Sequence, residues 1–311
     1  MTVDATTERE VRRIGDHDVA ITTPDRVLWP ATGTTKRDLV DYLVAIAPVL
    51  LPHLHDRGLT LRRFPEGVTG KSWYQAQCRG HPPFVRTQVV RSARGETLRY
   101  CVVDDAAGLA WLANLANIEL HPFLAPASRP DEPATFVVDL DPGPPASVLA
   151  AASVALTVLD RLDALGLPAL TKVSGGRGVH VVVPLAPGHT FAETKASARV
   201  FAASLARAAP DLVTTTMARS ERRERVLVDW LQNDPTRSTV AAWSPRATPI
   251  PLVSTPVTRA ELSDAIREGR PDRLRFGFRA ALDRAQRMGD PFGIAAGGGP
   301  GAVLPPPDAF A

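Results

Sequence analysis

Lysine is scarce in this chain: of 36 basic residues only Lys36, Lys71, Lys172 and Lys195 are lysines, and the rest are arginines. The two are not interchangeable at tight phosphate sites, so the surviving lysines are worth following. Cysteine is scarcer still. Cys78 and Cys101 are too few for a disulfide framework and lack zinc-ligand spacing, so both are expected to be reduced and inert. No apolar run approaches a membrane span, and residues 1–13 are polar and charged, unlike a signal peptide. A cytoplasmic protein with no membrane role is expected. Charge of one sign is lacking too: a net +3 does not by itself argue for nucleic acid. With 44% hydrophobic content, 311 residues do suffice for a large core.

Three stretches carry candidate chemistry. The first is Phe136-Val137-Val138-Asp139-Leu140-Asp141-Pro142-Gly143, an apolar run that reads as a buried strand. Strand alternation points Asp139 and Asp141 to one face, and the prolines from Pro142 to Pro145 leave Asp141 at the open end. Paired carboxylates repel unless a cation sits between them; a strand end turning into solvent is the plain alternative. The second is the loop Ser174-Gly175-Gly176-Arg177-Gly178 between strands 169–173 and 179–185. Its glycines let backbone N–H groups approach an anion, and Lys172, Ser174, Arg177 and His180 add donors. The spacing is neither a Walker A loop nor a dinucleotide fingerprint, but the convergence of cations and a hydroxyl favours phosphate over a plain hairpin. The third is Val226-Leu227-Val228-Asp229-Trp230, where a carboxylate inside a core strand is costly unless paired or metal-bound. Asp139, Asp141 and Asp229 would together suit a two-metal phosphoryl-transfer site.

In chain order, residues 1–20 are expected to form a flexible lead-in and 21–290 a single domain. A Gly- and Pro-rich tail over 291–311 is expected to be disordered or loosely draped. Thr35 should open a helix at Lys36 that Pro52 stops. Trp73 and Tyr74 form an aromatic pair beside cations, strands at 85–90 and 97–103 flank a hairpin loop at 91–96, and His121 ends a short strand. The βαβ succession from Phe136 to Val183 places the chain in the α/β class.

Val137-Val138-Asp139-Leu140-Asp141-Pro142-Gly143, Thr171-Lys172-Val173-Ser174-Gly175-Gly176-Arg177-Gly178-Val179-His180 and Val228-Asp229-Trp230-Leu231-Gln232-Asn233 resemble the three motifs of the archaeo-eukaryotic primase superfamily. More narrowly, the chain is similar to the polymerase domain of bacterial ligase D and its stand-alone relatives. Supporting stretches include Pro24 to Pro30, Trp111 to Asn114 and Ile118 to Pro122, and the resemblance covers about residues 20–270.

The resemblance implies a primase-like catalytic sheet with an additional N-terminal α/β layer in one globular unit. It also implies template-dependent nucleotidyl transfer with two Mn2+ or Mg2+ ions, often favouring ribonucleotides over deoxyribonucleotides, in end joining and short-gap repair. Position by position, Asp139, Asp141 and Asp229 match metal-binding catalytic carboxylates. Lys172, Ser174, Gly175, His180, Arg222, Gln232 and Arg246 match groups around the incoming nucleotide, with His121 nearby. Arg62, Trp73 and Tyr74 match template-DNA contacts. Arg26 and Lys36 fall on two lysines that hold the 5′-phosphate of a gap; the first is arginine here.

The sequence shows no ligase lysine motif, and no additional domain is expected. Separate DNA ligase and end-binding proteins are therefore the expected partners, with nucleoid association when on DNA. Two rivals remain. A manganese-dependent glycosyltransferase also uses Asp-X-Asp but has no need of Asp229 or the aromatics, and an inactive DNA-end binding module would not need all three carboxylates.

Overall fold

A computed structural model describes residues 8–91, 96–296 and 300–311. The chain opens with a hairpin of β1 (Arg9–Ile14) and β2 (His17–Thr22), then β3 (Val27–Trp29) and β4 (Thr34–Thr35). Next come α1 (Lys36–Leu54), β5 (Leu59–Arg63), β6 (Trp73–Gln75), β7 (Arg86–Arg91) and β8 (Thr97–Val102). The first half closes with α2 (Ala106–Asn114) and β9 (Asn117–Pro122).

The second half starts with β10 (Thr135–Pro142), α3 (Val148–Ala164), β11 (Leu170–Val173) and β12 (Val179–Pro184). It continues through α4 (Phe191–Ala208), β13 (Val213–Thr214), β14 (Val226–Asp229), β15 (Pro245–Arg246), β16 (Leu252–Val253) and β17 (Thr255–Val257). Two helices, α5 (Arg259–Arg267) and α6 (Phe278–Met288), precede the tail. None of the described helices is long and apolar enough to cross a membrane.

Two sheets define the architecture. In the first half β5 is central, with β9 along one side and β6 and β8 on the other, and β7 beyond β8. The second half forms a six-stranded sheet in the order β13-β14-β10-β12-β11-β17. The α3 crossover returns β11 parallel to β10 with one strand position left between them, and β12 fills it, antiparallel to both. Alternation then sorts the faces. Phe136, Val138, Leu140, Val181 and Val183 pack with α3, α4 and α5, whereas Val137 and Val182 join the core of the first half. Asp139, Asp141 and His180 share the parity of that second set, so they face the first half. The expected catalytic sheet with an N-terminal α/β layer is what the chain forms.

Several expectations change. Residues 9–22 are not a loose lead-in: the hairpin buries Val19 and Ile21, and Thr22 donates to Asn114 Oδ1 at 2.8 Å. Its charged outer positions hide a period-two pattern. Helix α1 runs through Pro48 and Pro52 to Leu54. Each proline forgoes one hydrogen bond, and burial of Leu50, His53 and Leu54 holds the last turn regardless.

Cys78 and Cys101 are joined in a disulfide, not reduced. The Cys78 N–H donates to Arg99 O, which lays the segment after β6 along β8 and brings together sulfurs 23 residues apart. The tail is not loosely draped either. Phe310 is buried against Phe136 and Phe201, and Ala302 bridges to Leu185. The expected loop at 91–96 falls mostly on residues 92–95, outside those described.

Candidate active site

The cleft between the two halves is built from backbone register. In the six-stranded sheet Asp139 stands directly opposite Asp229 on β14 and opposite His180 on β12, and Asp141 follows two residues on. Directly opposed like charges destabilise a sheet, so this pairing needs a reason beyond stability. Asp139 is 6% exposed, Asp229 half-buried and Asp141 exposed. Asp229 is the last residue of β14 rather than an interior one, and it starts a short 3-10 turn over Trp230–Gln232. Its Oδ1 accepts from the Leu231 N–H at 3.0 Å and its Oδ2 from Gln232 Nε2 at 3.3 Å.

Among the described residues, no three His, Cys, Asp or Glu side chains converge tightly enough to hold an ion as they stand. The donor set nevertheless fits a hard divalent cation. Asp139 Oδ1 is buried with no hydrogen-bond donor, and so is Gln232 Oε1 beside it. An unsatisfied buried polar atom costs about 1–3 kcal/mol, more when charged. Burial, then Asp141 and Asp229, push the Asp139 carboxyl well above its ordinary range; burial and Asp229 raise Asp141. A cation among them would reverse that.

His180 is fixed from behind. Lys172, buried at 2%, donates to His180 Nδ1 at 3.1 Å and to Ser254 Oγ at 3.0 Å. This leaves the proton on His180 Nε2, which lies 3.3 Å from Asp139 Oδ1 but outside hydrogen-bond geometry. Burial, then Arg246, bring the Lys172 ammonium down to about 7. Lys172 therefore supports His180 and does not line the cleft directly.

The glycine loop also differs from expectation. Two of its N–H groups, on Gly176 and Gly178, donate to Ser174 Oγ at 3.3 and 3.2 Å. Ser174 thus staples the loop rather than leaving all its amides to an anion. Gly175 has φ +73°, and a Cβ there would meet Arg246 Cγ at 2.7 Å, so only glycine lets this arginine lie over the loop.

Two cavities meet at Asp141, Ser174 and Arg246. One of about 520 Å3 holds Tyr74, His121, Asp139, His180 and Gln232. The other, about 920 Å3, is walled by Arg177, Arg219, Arg222 and Arg223. Trp73 and Tyr74 are 46% and 63% exposed on edge strand β6, and Arg62 lies under Tyr74, 5.5 Å from its ring centroid. The register thus gathers the carboxylates, His180, His121, Gln232, Arg222, Arg246 and Tyr74 around one cleft.

Arg26 and Lys36 lie apart from it. Arg26 is exposed and donates to Pro65 O at 2.8 Å. Lys36 is 4% exposed and donates to Thr22 O at 2.6 Å. The first N–H groups of α1 are already used: Lys36 N–H reaches Arg26 O, Arg37 N–H reaches Pro24 O, and Asp38 N–H reaches Thr35 Oγ1. The start of α1 is thus capped, and these amides are not free for an anion. Burial, then the neighbouring Arg26 and Arg63, lower the Lys36 ammonium to about 8, as befits a cationic cluster.

Sequence reading missed Glu119, which binds His121, Arg62 and Arg246 at once. A carboxylate flanked by Ile118 and Leu120 in a short strand was the available signal.

Comparison with known proteins gives the family. Residues 35–292 match the family described as LigD, primase-polymerase domain. The multifunctional non-homologous end joining protein LigD of Mycolicibacterium smegmatis is 35% identical over 277 residues, 88% of this chain and 35% of that protein. The multifunctional non-homologous end joining DNA repair protein LigD of Mycobacterium tuberculosis is 37% identical over 281 residues, 88% of this chain and 36% of that protein. The chain thus spans about a third of the length of these relatives. The solved polymerase domain of Mycobacterium tuberculosis ligase D in complex with DNA matches with a TM-score of 0.81 at 35% identity, over 91% of this chain and 99% of that one. With its three motifs in register around one cleft, this chain belongs to the LigD primase-polymerase domain family of nucleotidyltransferases.

Proposed function

We propose that the chain performs template-dependent addition of nucleotides, ribonucleotides in preference, at DNA ends and short gaps in end-joining repair. The observation that carries this is the register that sets Asp139 opposite Asp229, with Asp141 two residues on and Asp139 Oδ1 without a donor. Two divalent ions, Mn2+ or Mg2+, would be held by Asp139, Asp141 and Asp229. When bound they supply Lewis-acid activation of the attacking oxygen and charge neutralisation at the triphosphate.

The chain's own groups do the rest. Arg177, Arg222 and Arg246 cradle the phosphates, where the planar guanidinium offers paired donors. His180 Nε2–H, locked by Lys172, presents a donor beside the carboxylates. Trp73 and Tyr74 offer faces on which template bases stack, a sequence-tolerant interaction. Arg26, Lys36 and Arg63 form a cationic cluster suited to the 5′-phosphate downstream of a gap.

Manganese-supported primer extension on a one-nucleotide gap tests this. Templated addition is expected, with faster filling when the downstream strand carries a 5′-phosphate and with no hydrolysis of a nucleotide sugar. Nucleotide-sugar turnover without primer extension would favour a glycosyltransferase instead.

A further inference from the structure

Glu119 is a group that both halves of the cleft share. It sits on β9, in the first-half sheet, and is 2% exposed. Arg62 Nη1, from β5, reaches its two oxygens at 3.3 and 3.2 Å. His121 Nε2 donates to Oε2 at 2.9 Å. From β15, Arg246 Nε reaches Oε1 at 3.2 Å and the Ala247 N–H reaches the same oxygen at 3.0 Å. A carboxylate has about four acceptor sites, and these donors take them up. Burial raises the Glu119 carboxyl, but His121, Arg246 and the Ala247 amide outweigh burial and hold it far below the ordinary range. A buried charge persists only when saturated in this way.

Each partner then reaches outward. The Arg62 guanidinium lies 4.9 Å from the Phe64 ring centroid and 5.5 Å from that of Tyr74. Tyr74 and His121 meet edge to face, with centroids 6.3 Å apart. Arg246 Nη1 donates to Ser174 O at 2.6 Å and so pins the glycine loop. One carboxylate therefore sets a cation under the exposed aromatic platform and another cation against the loop at the carboxylate cluster.

We propose that Glu119 is a positioning residue that couples the two substrates, orienting Arg246 and His121 for the nucleotide and Arg62 with Tyr74 for the template. The proposal presupposes the polymerase function above. Nucleotide binding and template binding are then linked through one side chain, and linkage requires that each substrate raise the affinity for the other by the same factor.

The test measures nucleotide affinity with and without a primer-template whose primer ends in a dideoxynucleotide, so that no turnover occurs. In the wild type the template should tighten nucleotide binding by about fivefold or more, within the usual range of coupling between sites. In Glu119→Gln, which keeps shape and one acceptor oxygen, that factor should fall to near one. Nucleotide KM should rise by about tenfold while kcat changes far less, the pattern of lost uniform binding. A Glu119→Gln protein that retains the wild-type coupling factor would overturn the proposal.

If that variant fails to fold, Arg62→Gln serves, since this side chain is partly exposed. It should weaken nucleotide binding from across the cleft, and an unchanged nucleotide affinity would overturn the proposal equally. Absence of templated extension by the wild type would instead reject the polymerase function itself.

Discussion

The two sheets meet at one cleft with opposite endowments. The six-stranded sheet brings Asp139, Asp229 and His180, held by cross-strand pairing on both sides of β10. The first-half sheet brings Arg62, Trp73 and Tyr74, and the two aromatics stand exposed on a three-residue edge strand. Under the proposed function, the groups assigned to the reacting atoms sit where register fixes them twice over, whereas those assigned to template bases sit where side chains stay accessible. Asp139 shows what the first arrangement costs: three carboxylates crowd together and one buried oxygen has no donor. The second costs exposed aromatic surface.

This contrast is broken most sharply at the carboxylates. Asp139→Ala should cut nucleotide addition by about a thousandfold or more, because charge neutralisation at a phosphoryl centre is worth several kcal/mol. DNA binding should persist. The thermal midpoint should hold or rise, since the lost group is a crowded, unsatisfied carboxylate. Loss of folding alongside loss of activity would show the carboxylates to be structural.

On the other sheet the effect should be smaller and of another kind. Trp73→Ala with Tyr74→Ala should weaken primer-template binding by about 1–3 kcal/mol per stacked base. Binding of nucleotide alone and thermal stability should change little. Equal loss of nucleotide affinity would mean that the aromatic pair belongs to the nucleotide pocket.

Much of this division was legible in the sequence, for a physical reason. Apolar runs interrupted by carboxylates are costly in a core unless the charge is paired or metal-bound, so Asp139, Asp141 and Asp229 stood out before any contact was known. Register is not written locally, so that Asp139 faces Asp229 emerged only from the sheet. Hydrogen-bond use is equally non-local. Nothing near Lys36 announced that the backbone oxygens of Arg26 and Pro24 would occupy the first amides of α1. Nor did the glycines announce that Ser174 Oγ would take two of theirs. Glu119 was passed over because a single acidic residue in a short strand resembles a surface position until its neighbours are known.

The smallest expected effect lies at the cationic cluster. Lys36→Met should remove most of the preference for a 5′-phosphorylated gap, roughly the 1.5–3 kcal/mol of a charge-assisted hydrogen bond. It should spare extension on a plain primer-template. The pH dependence has a definite sign. The proposed phosphate contact needs the ammonium form, and burial beside Arg26 and Arg63 lowers that ammonium to about 8, so the wild-type preference should fade as pH rises past 8. Stability moves the other way: the unfolded lysine keeps its proton to about 10.5, so the folded state gains between pH 8 and 10.5. Gap-filling assays at pH 7 and 9, with phosphate and hydroxyl gaps side by side, check both variant and wild type.

The claim that the register-paired carboxylates are a cation site is tested most directly by titrating the protein with Mn2+ and following the electron paramagnetic resonance of the unbound ion. Wild-type protein should take up the ion, and Asp139→Asn and Asp229→Asn should each weaken that uptake at least about tenfold, the loss of one carboxylate from a hard-cation site. Mn2+ uptake unchanged in both variants, with their fold intact, would contradict the account.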